Sequence, residues 1–260
     1  MVTYKKCPKC GYERQASDAR DPSACPGCGL VFAKWIQRIA GTPPRGRPSV
    51  EEQEERAPGF AARLWQLALH VPERTDPMQF WGRVAFYVLI FVWGWYFILL
   101  DFRTNEIGES FMHRVNLAFH EAGHVAFMPF GRFMMILGGS LGQLIMPLIV
   151  MGVFLWKQHD GFGGAAGLWW TGQSLMDLAP YINDARDLVL PLIGGGTGGD
   201  RPGMHDWENI LSDLGLIRHD HRIAWAADAL GSLIVLTALA WGGYLLYRQF
   251  KNLPQGESRK

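Results

Sequence analysis

The chain divides sharply by polarity. Residues 1–79 are polar and charged, residues 80–156 are nearly continuous apolar sequence, and beyond them apolar runs alternate with short polar ones. Five runs read as helices that cross a bilayer, each long enough with its flanks to span the hydrocarbon. They are Val84 to Leu100, roughly 114–131, Phe133 to Trp156, Gly161 to about Ile182, and Ile223 to Tyr247. Polar breaks separate them: Asp101, Arg103, Glu106 and Glu109 after the first, Gly131-Arg132 after the second, Lys157 to Asp160 after the third, and a Gly- and His-rich segment at 184–222. The pattern predicts an all-α multi-span membrane protein over 80–250, with about five transmembrane helices.

The polar N-terminal part has its own logic. Its four cysteines fall in Cys7-Pro8-Lys9-Cys10-Gly11 and Cys25-Pro26-Gly27-Cys28-Gly29. Paired C-x-x-C knuckles, each followed by Gly, form a zinc-ribbon signature: four thiolates close a tetrahedral structural site. The small N-terminal domain is therefore read as a zinc ribbon over 1–40. Two disulfides are the competing arrangement. Polar sequence directly after Met1, without a secretory apolar core, favours reduced thiols and a cytoplasmic location. Leu30 to Ile36 reads as a closing strand or the start of a helix. Residues 41–79 follow as a linker, Pro- and Gly-rich and then acidic (Glu51, Glu52, Glu54, Glu55), ending in a short amphipathic helix at 60–70. That helix lies on the bilayer or packs on the protein.

Composition changes the picture little. A formal net charge of +1 over 260 residues gives no bulk attraction to nucleic acid, and the ribbon's surroundings are sparsely basic. Mean hydropathy is +0.01, which would pass for a soluble protein if the split between the two halves were ignored. Eleven Trp and fifteen Phe suit aromatic belts at membrane interfaces. The Lys and Arg load before the first span places the N-terminus in the cytoplasm. Five spans then put Arg248, Lys251, Arg259 and Lys260 outside, against the same rule, unless one segment is re-entrant.

The chemistry-bearing motif is His120-Glu121-Ala122-Gly123-His124, within an apolar stretch that includes Val115, Leu117, Phe119, Val125 and Phe127. On a helix, two histidines four apart share a face and reach one metal ion, and the intervening Glu stands beside an open coordination position as a general base. The site would lie at membrane depth, where ionisable clusters are costly and usually functional. A catalytic zinc takes three protein ligands. The carboxylates of the fourth span, Asp177 and Asp184, are the natural candidates, with Pro180 between them expected to break or kink the helix. His205, in His205-Asp206-Trp207 after the glycine run 194–199, is a rival that folds back as a lid. His113 is read as too near in sequence and on the wrong helix face. His219 and His221 are read as interfacial, and the glycine run lacks the G-K-(S/T) ending of a phosphate loop.

From about residue 110 to 190 the chain resembles the site-2 protease family of intramembrane zinc metalloproteases. The resemblance rests on His120-Glu121-x-x-His124 in a membrane helix. It rests also on Gly138-Gly139-Ser140-Leu141-Gly142, similar to that family's G-x-x-x-(N/S/G) element. Ser174 to Ala185 looks like a relative of its N-x-x-P-x-P-x-x-D-G segment, with Ser174 for Asn, a single Pro180, longer spacing and Ala185 for Gly. The resemblance implies a three-helix core, Asp184 as third zinc ligand and Glu121 as catalytic base. It implies peptide-bond hydrolysis within the membrane and membrane-protein substrates. The expected complement is one catalytic and one structural zinc, the bilayer itself, and a protein partner for the ribbon. A bacterial inner membrane is the expected location. The alternatives are a non-catalytic zinc-binding membrane protein and, further off, a metal transporter. The transporter would need a second His-rich span, which the third and fifth runs do not supply.

Overall fold

The computed structural model describes residues 4–15, 18, 22–39 and 59–254. The chain divides into two compact units, Met1–Gly59 and Phe60–Lys260. The proline-rich and acidic linker at 41–58 lies outside the described residues.

In the first unit the same turn is made twice. Gly11 N–H donates to Cys7 O (3.0 Å) and Gly29 N–H to Cys25 O (2.8 Å). Both glycines have positive φ, +74° and +69°, a conformation that side chains with a Cβ rarely adopt. Each turn is flanked by one isolated antiparallel bridge, Lys6 with Glu13 and Ala24 with Val31. No strand longer than these bridges forms among the described residues. The segment that read as a strand or a helix start is helical: α1 runs Phe32–Ile39. Phe32 is buried with Cys7 and Cys25, and Tyr4, Tyr12 and Leu30 pack around them.

The second unit is helical. It comprises α2 (Phe60–Ala68), α3 (Pro77–Leu99), α4 (Phe111–Phe127), α5 (Arg132–Trp156), α6 (Gly161–Asn183), α7 (Asp206–Asp213) and α8 (Asp220–Lys251). The starts are written locally. Asp76 accepts a bond from Gln79 N–H and Pro77 opens α3; Ser110 accepts from His113 N–H ahead of α4; Asp160 accepts from Phe162 N–H ahead of α6. Gly131, at φ +94°, turns the chain between α4 and α5. Asp160 also pairs with Arg83 of α3 at 2.8 Å, tying two helix starts together.

Helices therefore occupy all five apolar runs, but three of them are long and apolar enough to cross a membrane: α3, α5 and the segment Ile217–Lys251 that contains α8. The expectation of five spans is not met, for two physical reasons. The 17 residues of α4 extend only about 26 Å, short of the roughly 30 Å hydrocarbon core. The helix α6 has 23 residues, but it is built from Gly161, Gly163, Gly164, Gly167 and Gly172 with Gln173, Ser174 and Asp177, and most of it is buried by its neighbours. Sequence periodicity cannot tell such a buried helix from one that faces lipid. By contrast, α3 leaves Val88, Leu89, Val92 and Leu99 more than half exposed, and α8 does the same with Leu230 and Leu233. An apolar surface of that extent needs lipid or a partner to cover it.

Packing runs in sequence from α4 to α5, α5 to α6, α6 to α8 and α8 to α3. Glycines set two close crossings. A Cβ at Gly172 would lie 2.7 Å from Gly231 O, and one at Gly231 would lie 2.5 Å from Met176 Cγ, so α6 and α8 touch backbone to backbone. Between α4 and α5, Gly123 meets the Gly138 carbonyl and Gly142 meets the Phe119 carbonyl. Close backbone approach of this kind is how helices associate where water supplies no hydrophobic drive. The amphipathic segment forms α2, with Phe60 and Trp65 exposed and Leu67 buried, and its Ala68 carbonyl accepts a bond from Trp241 Nε1 of α8 (3.0 Å).

Candidate functional site

Two clusters of metal-ligating side chains occur among the described residues: Cys7, Cys10, Cys25 and Cys28, and His120, His124 and Asp206. In each, the ligand atoms lie within 4.8 Å of one another.

All four cysteines are free thiols. Cys7 Sγ lies 3.8 Å from Cys28 Sγ, and Cys10 Sγ lies 3.7 Å from Cys25 Sγ. A regular tetrahedron with metal–sulfur bonds of about 2.3 Å has edges of about 3.8 Å, so the thiols are spaced to close on one ion. Burial works against a Cys7 thiolate, but the backbone N–H groups of Cys10 and Lys9 aimed at it prevail and bring the thiol down to about 6. The thiolate is the ligating form.

The second cluster sits in a cavity of about 650 Å³ within the helical unit. His120 and His124 come from one face of α4, with ring centroids 4.9 Å apart. Asp206 is the first residue of α7, and its Oδ2 lies 2.9 Å from His120 Nε2 and 3.2 Å from His124 Nε2. Ligand atoms around a tetrahedral ion with bonds of about 2.0 Å are about 3.3 Å apart, so the spacing fits.

The tautomers strengthen the case. Gln143 Nε2 donates to Ser174 O (3.0 Å), which turns Gln143 Oε1 toward His120 Nδ1 at 3.1 Å. The amide oxygen can only accept, so His120 Nδ1 carries the proton. His124 Nδ1 lies 2.9 Å from the Met135 carbonyl, again a pure acceptor. In the neutral rings both Nε2 atoms are therefore bare lone pairs aimed at a carboxylate oxygen. A cation among three such acceptors turns repulsion into coordination, and Nδ1 bonds of this type are what hold metal-ligating histidines in place. When the imidazoles are instead protonated on both nitrogens, burial raises the Asp206 carboxyl, but the Nε2–H groups then donate to it, outweigh burial and hold it below the ordinary carboxylate range.

Gly139 completes the fit. A Cβ there would lie 2.5 Å from His120 Nε2 and 2.6 Å from His124 Nε2, so only glycine lets α5 pass beside both rings. Glu121 is exposed and lines the same cavity. The walls add apolar side chains, Leu117, Ile136 and Leu190 among them.

The other sequence candidates are placed elsewhere. Asp184 is buried in the turn after α6, where Oδ1 accepts from Val189 N–H (2.9 Å) and Oδ2 from Leu190 N–H (3.0 Å). It does not join His120 and His124; both oxygens are engaged in holding the loop. These bonds, with His205 beside it, outweigh burial and keep its carboxyl below its ordinary value. His205 is not a ligand either. Its Nδ1 accepts from Glu208 N–H (3.1 Å) as the cap of α7, which leaves the proton on Nε2, 3.4 Å from Asp184 Oδ2. Asp184 and His205 thus hold the segment that presents Asp206.

Asp177 bonds His113 Nδ1 (3.0 Å) and Asn116 Nδ2 (3.1 Å). His113, expected on the wrong face, stands two turns before His120 and lines the same cavity, but it faces Asp177. Pro180 does not end α6, which continues to Asn183. The candidate ligand that the sequence does not single out, Asp206, adjoins His205. Its signal was an acidic residue opening a helix directly after a glycine-rich return loop.

No family model, no curated protein and no solved structure matches this chain.

Proposed function

We propose that the protein is an intramembrane zinc metallopeptidase, with one zinc held by His120, His124 and Asp206 and a second, structural zinc held by the four cysteines. One observation carries the reading. Three metal-ligating atoms converge beside the Glu of an H-E-x-x-H helix, in a cavity of mixed polar and apolar lining large enough for a peptide segment. The resemblance of the His120-Glu121-x-x-His124 helix to that of site-2 proteases supports it, as do three helices able to span a bilayer. The N-terminus is cytoplasmic in this reading, and the bilayer is that of a bacterial inner membrane.

Zinc supplies Lewis acidity at the site, polarising a carbonyl and making water more acidic. The protein's own groups do the rest. Gln143 and the Met135 carbonyl fix the imidazoles. Glu121 takes a proton from the attacking water and passes it to the departing amine nitrogen. Apolar lining residues such as Leu117, Ile136 and Leu190 receive side chains of a locally unwound membrane segment, and the polar ones offer partners to its backbone.

The test is Glu121→Gln, which keeps shape and removes the base. New protein termini are mapped in membranes from cells expressing wild type or variant at matched levels, with metal content measured in parallel. Processing should fall on the order of a hundredfold or more, with zinc retained, because a general base contributes about that much. Wild-type-like processing by Glu121→Gln rejects the peptidase and leaves a non-catalytic zinc-binding membrane protein.

A further inference from the structure

Tyr181 lies in the last turn of α6, between Pro180 and the turn held by Asp184. Its hydroxyl oxygen accepts the backbone N–H of Asp206 at 3.0 Å. Its ring lies 4.2 Å from the His205 ring and 6.3 Å from the His120 ring. It shares the cavity wall with His120, Glu121 and Asp206. A phenol offers one proton and two lone pairs, and Asp206 N–H occupies a lone pair. The oxygen is therefore pinned next to the metal ligands while its proton remains free to be donated.

We propose that Tyr181 is a catalytic residue of the metallopeptidase reading, on which this inference rests: its O–H donates a hydrogen bond to the scissile carbonyl oxygen as that oxygen gains charge. As the water oxygen bonds to the carbonyl carbon, the carbonyl π pair moves onto oxygen, and Tyr181 stabilises that charge without losing its proton. Glu121 holds the proton taken from water. When the carbon–nitrogen bond breaks and the carbonyl re-forms, that proton goes to the amine. A preorganised donor at such a position acts on the transition state far more than on the ground state. The bond from Asp206 N–H prevents the phenol from turning away, so the donor costs little reorganisation.

The experiment uses full-length protein in detergent, loaded with zinc, as wild type and Tyr181→Phe for the phosphinic peptide, and as Glu121→Gln with and without Tyr181→Phe for the amide peptide, so that it is not cleaved. Calorimetry measures the affinity for a phosphinic Ala–Leu peptide, whose tetrahedral phosphorus carries the charged oxygens of the transition state, and for the amide peptide of the same sequence. Tyr181→Phe should bind the phosphinic peptide about a hundredfold more weakly. In the Glu121→Gln background it should leave the affinity for the amide peptide unchanged, and it should keep its zinc. Equal phosphinic affinity in Tyr181→Phe and wild type overturns the inference and leaves the peptidase standing. So does a Tyr181→Phe defect that disappears with excess zinc, since Tyr181 would then only position Asp206. Wild type that takes up zinc but binds no phosphinic peptide overturns the peptidase reading itself.

Discussion

The two metal-ligating clusters are built from opposite kinds of sequence information. In the N-terminal unit the outermost ligands, Cys7 and Cys28, are 21 residues apart, and each knuckle is one local turn made possible by a glycine at positive φ. In the helical unit His120 and Asp206 are 86 residues apart. Two of those ligands are one helix turn apart, and the third arrives only after α5, α6 and a glycine-rich loop have packed. The first cluster is local geometry repeated; the second is assembled by tertiary contacts, and the residues that assemble it are not ligands. In the proposed reading, folding of the first depends on metal, whereas the second survives metal loss as a packed helical cavity.

The sharpest way to break that contrast is to remove metal from each. Cys10→Ser, or chelation of the full chain, should unfold the first unit, because apparent binding energies of about 10–16 kcal/mol at such sites are folding energies. The helical unit should keep its far-ultraviolet signature under the same treatment. Amide hydrogen exchange of both units, with and without chelator, reads this directly. Protection of 4–39 unchanged after metal removal would erase the distinction.

Ligand substitution is expected to have the next largest effect, and it tests which aspartate matters. Asp206→Asn should cost one zinc per chain at micromolar free metal, with the cysteine cluster still filled. Asp184→Asn should retain both metals, because its carboxylate holds backbone N–H groups, with weaker affinity only as far as the loop loosens. Metal counting on purified variants decides it. Loss of zinc in Asp184→Asn together with retention in Asp206→Asn would restore the alignment suggested by the family resemblance.

Smaller effects should come from the residues that aim the ligands. Gly139→Ala places a methyl against both imidazoles and should weaken the second zinc at least tenfold unless α5 shifts. Gln143→Ala removes the acceptor that fixes the His120 tautomer and should weaken zinc about 10- to 100-fold, the usual range for such partners. Competition against a zinc indicator measures both. Neither should disturb the cysteine cluster.

Much of this was legible in the order of residues. Two C-x-x-C-Gly units fix a four-thiolate cluster because each is a self-contained turn. The i, i+4 spacing fixes His120 and His124 on one face, and long uncharged runs locate α3, α5 and α8. The glycines at 138–142 stand out as a family-like element, but that α5 meets α4 there is a finding of the packing. What the sequence could not decide depended on burial and on distant partners. Whether α4 and α6 span a bilayer turned on length and on what covers them. Whether Asp177, Asp184, His205 or Asp206 faces the histidines turned on which acceptors were already taken: by Val189 and Leu190 N–H at Asp184, by Glu208 N–H at His205, by His113 and Asn116 at Asp177. A carboxylate or imidazole becomes a ligand when its lone pairs are left free and aimed. That depends on hydrogen bonds closed across the fold between residues far apart in the chain.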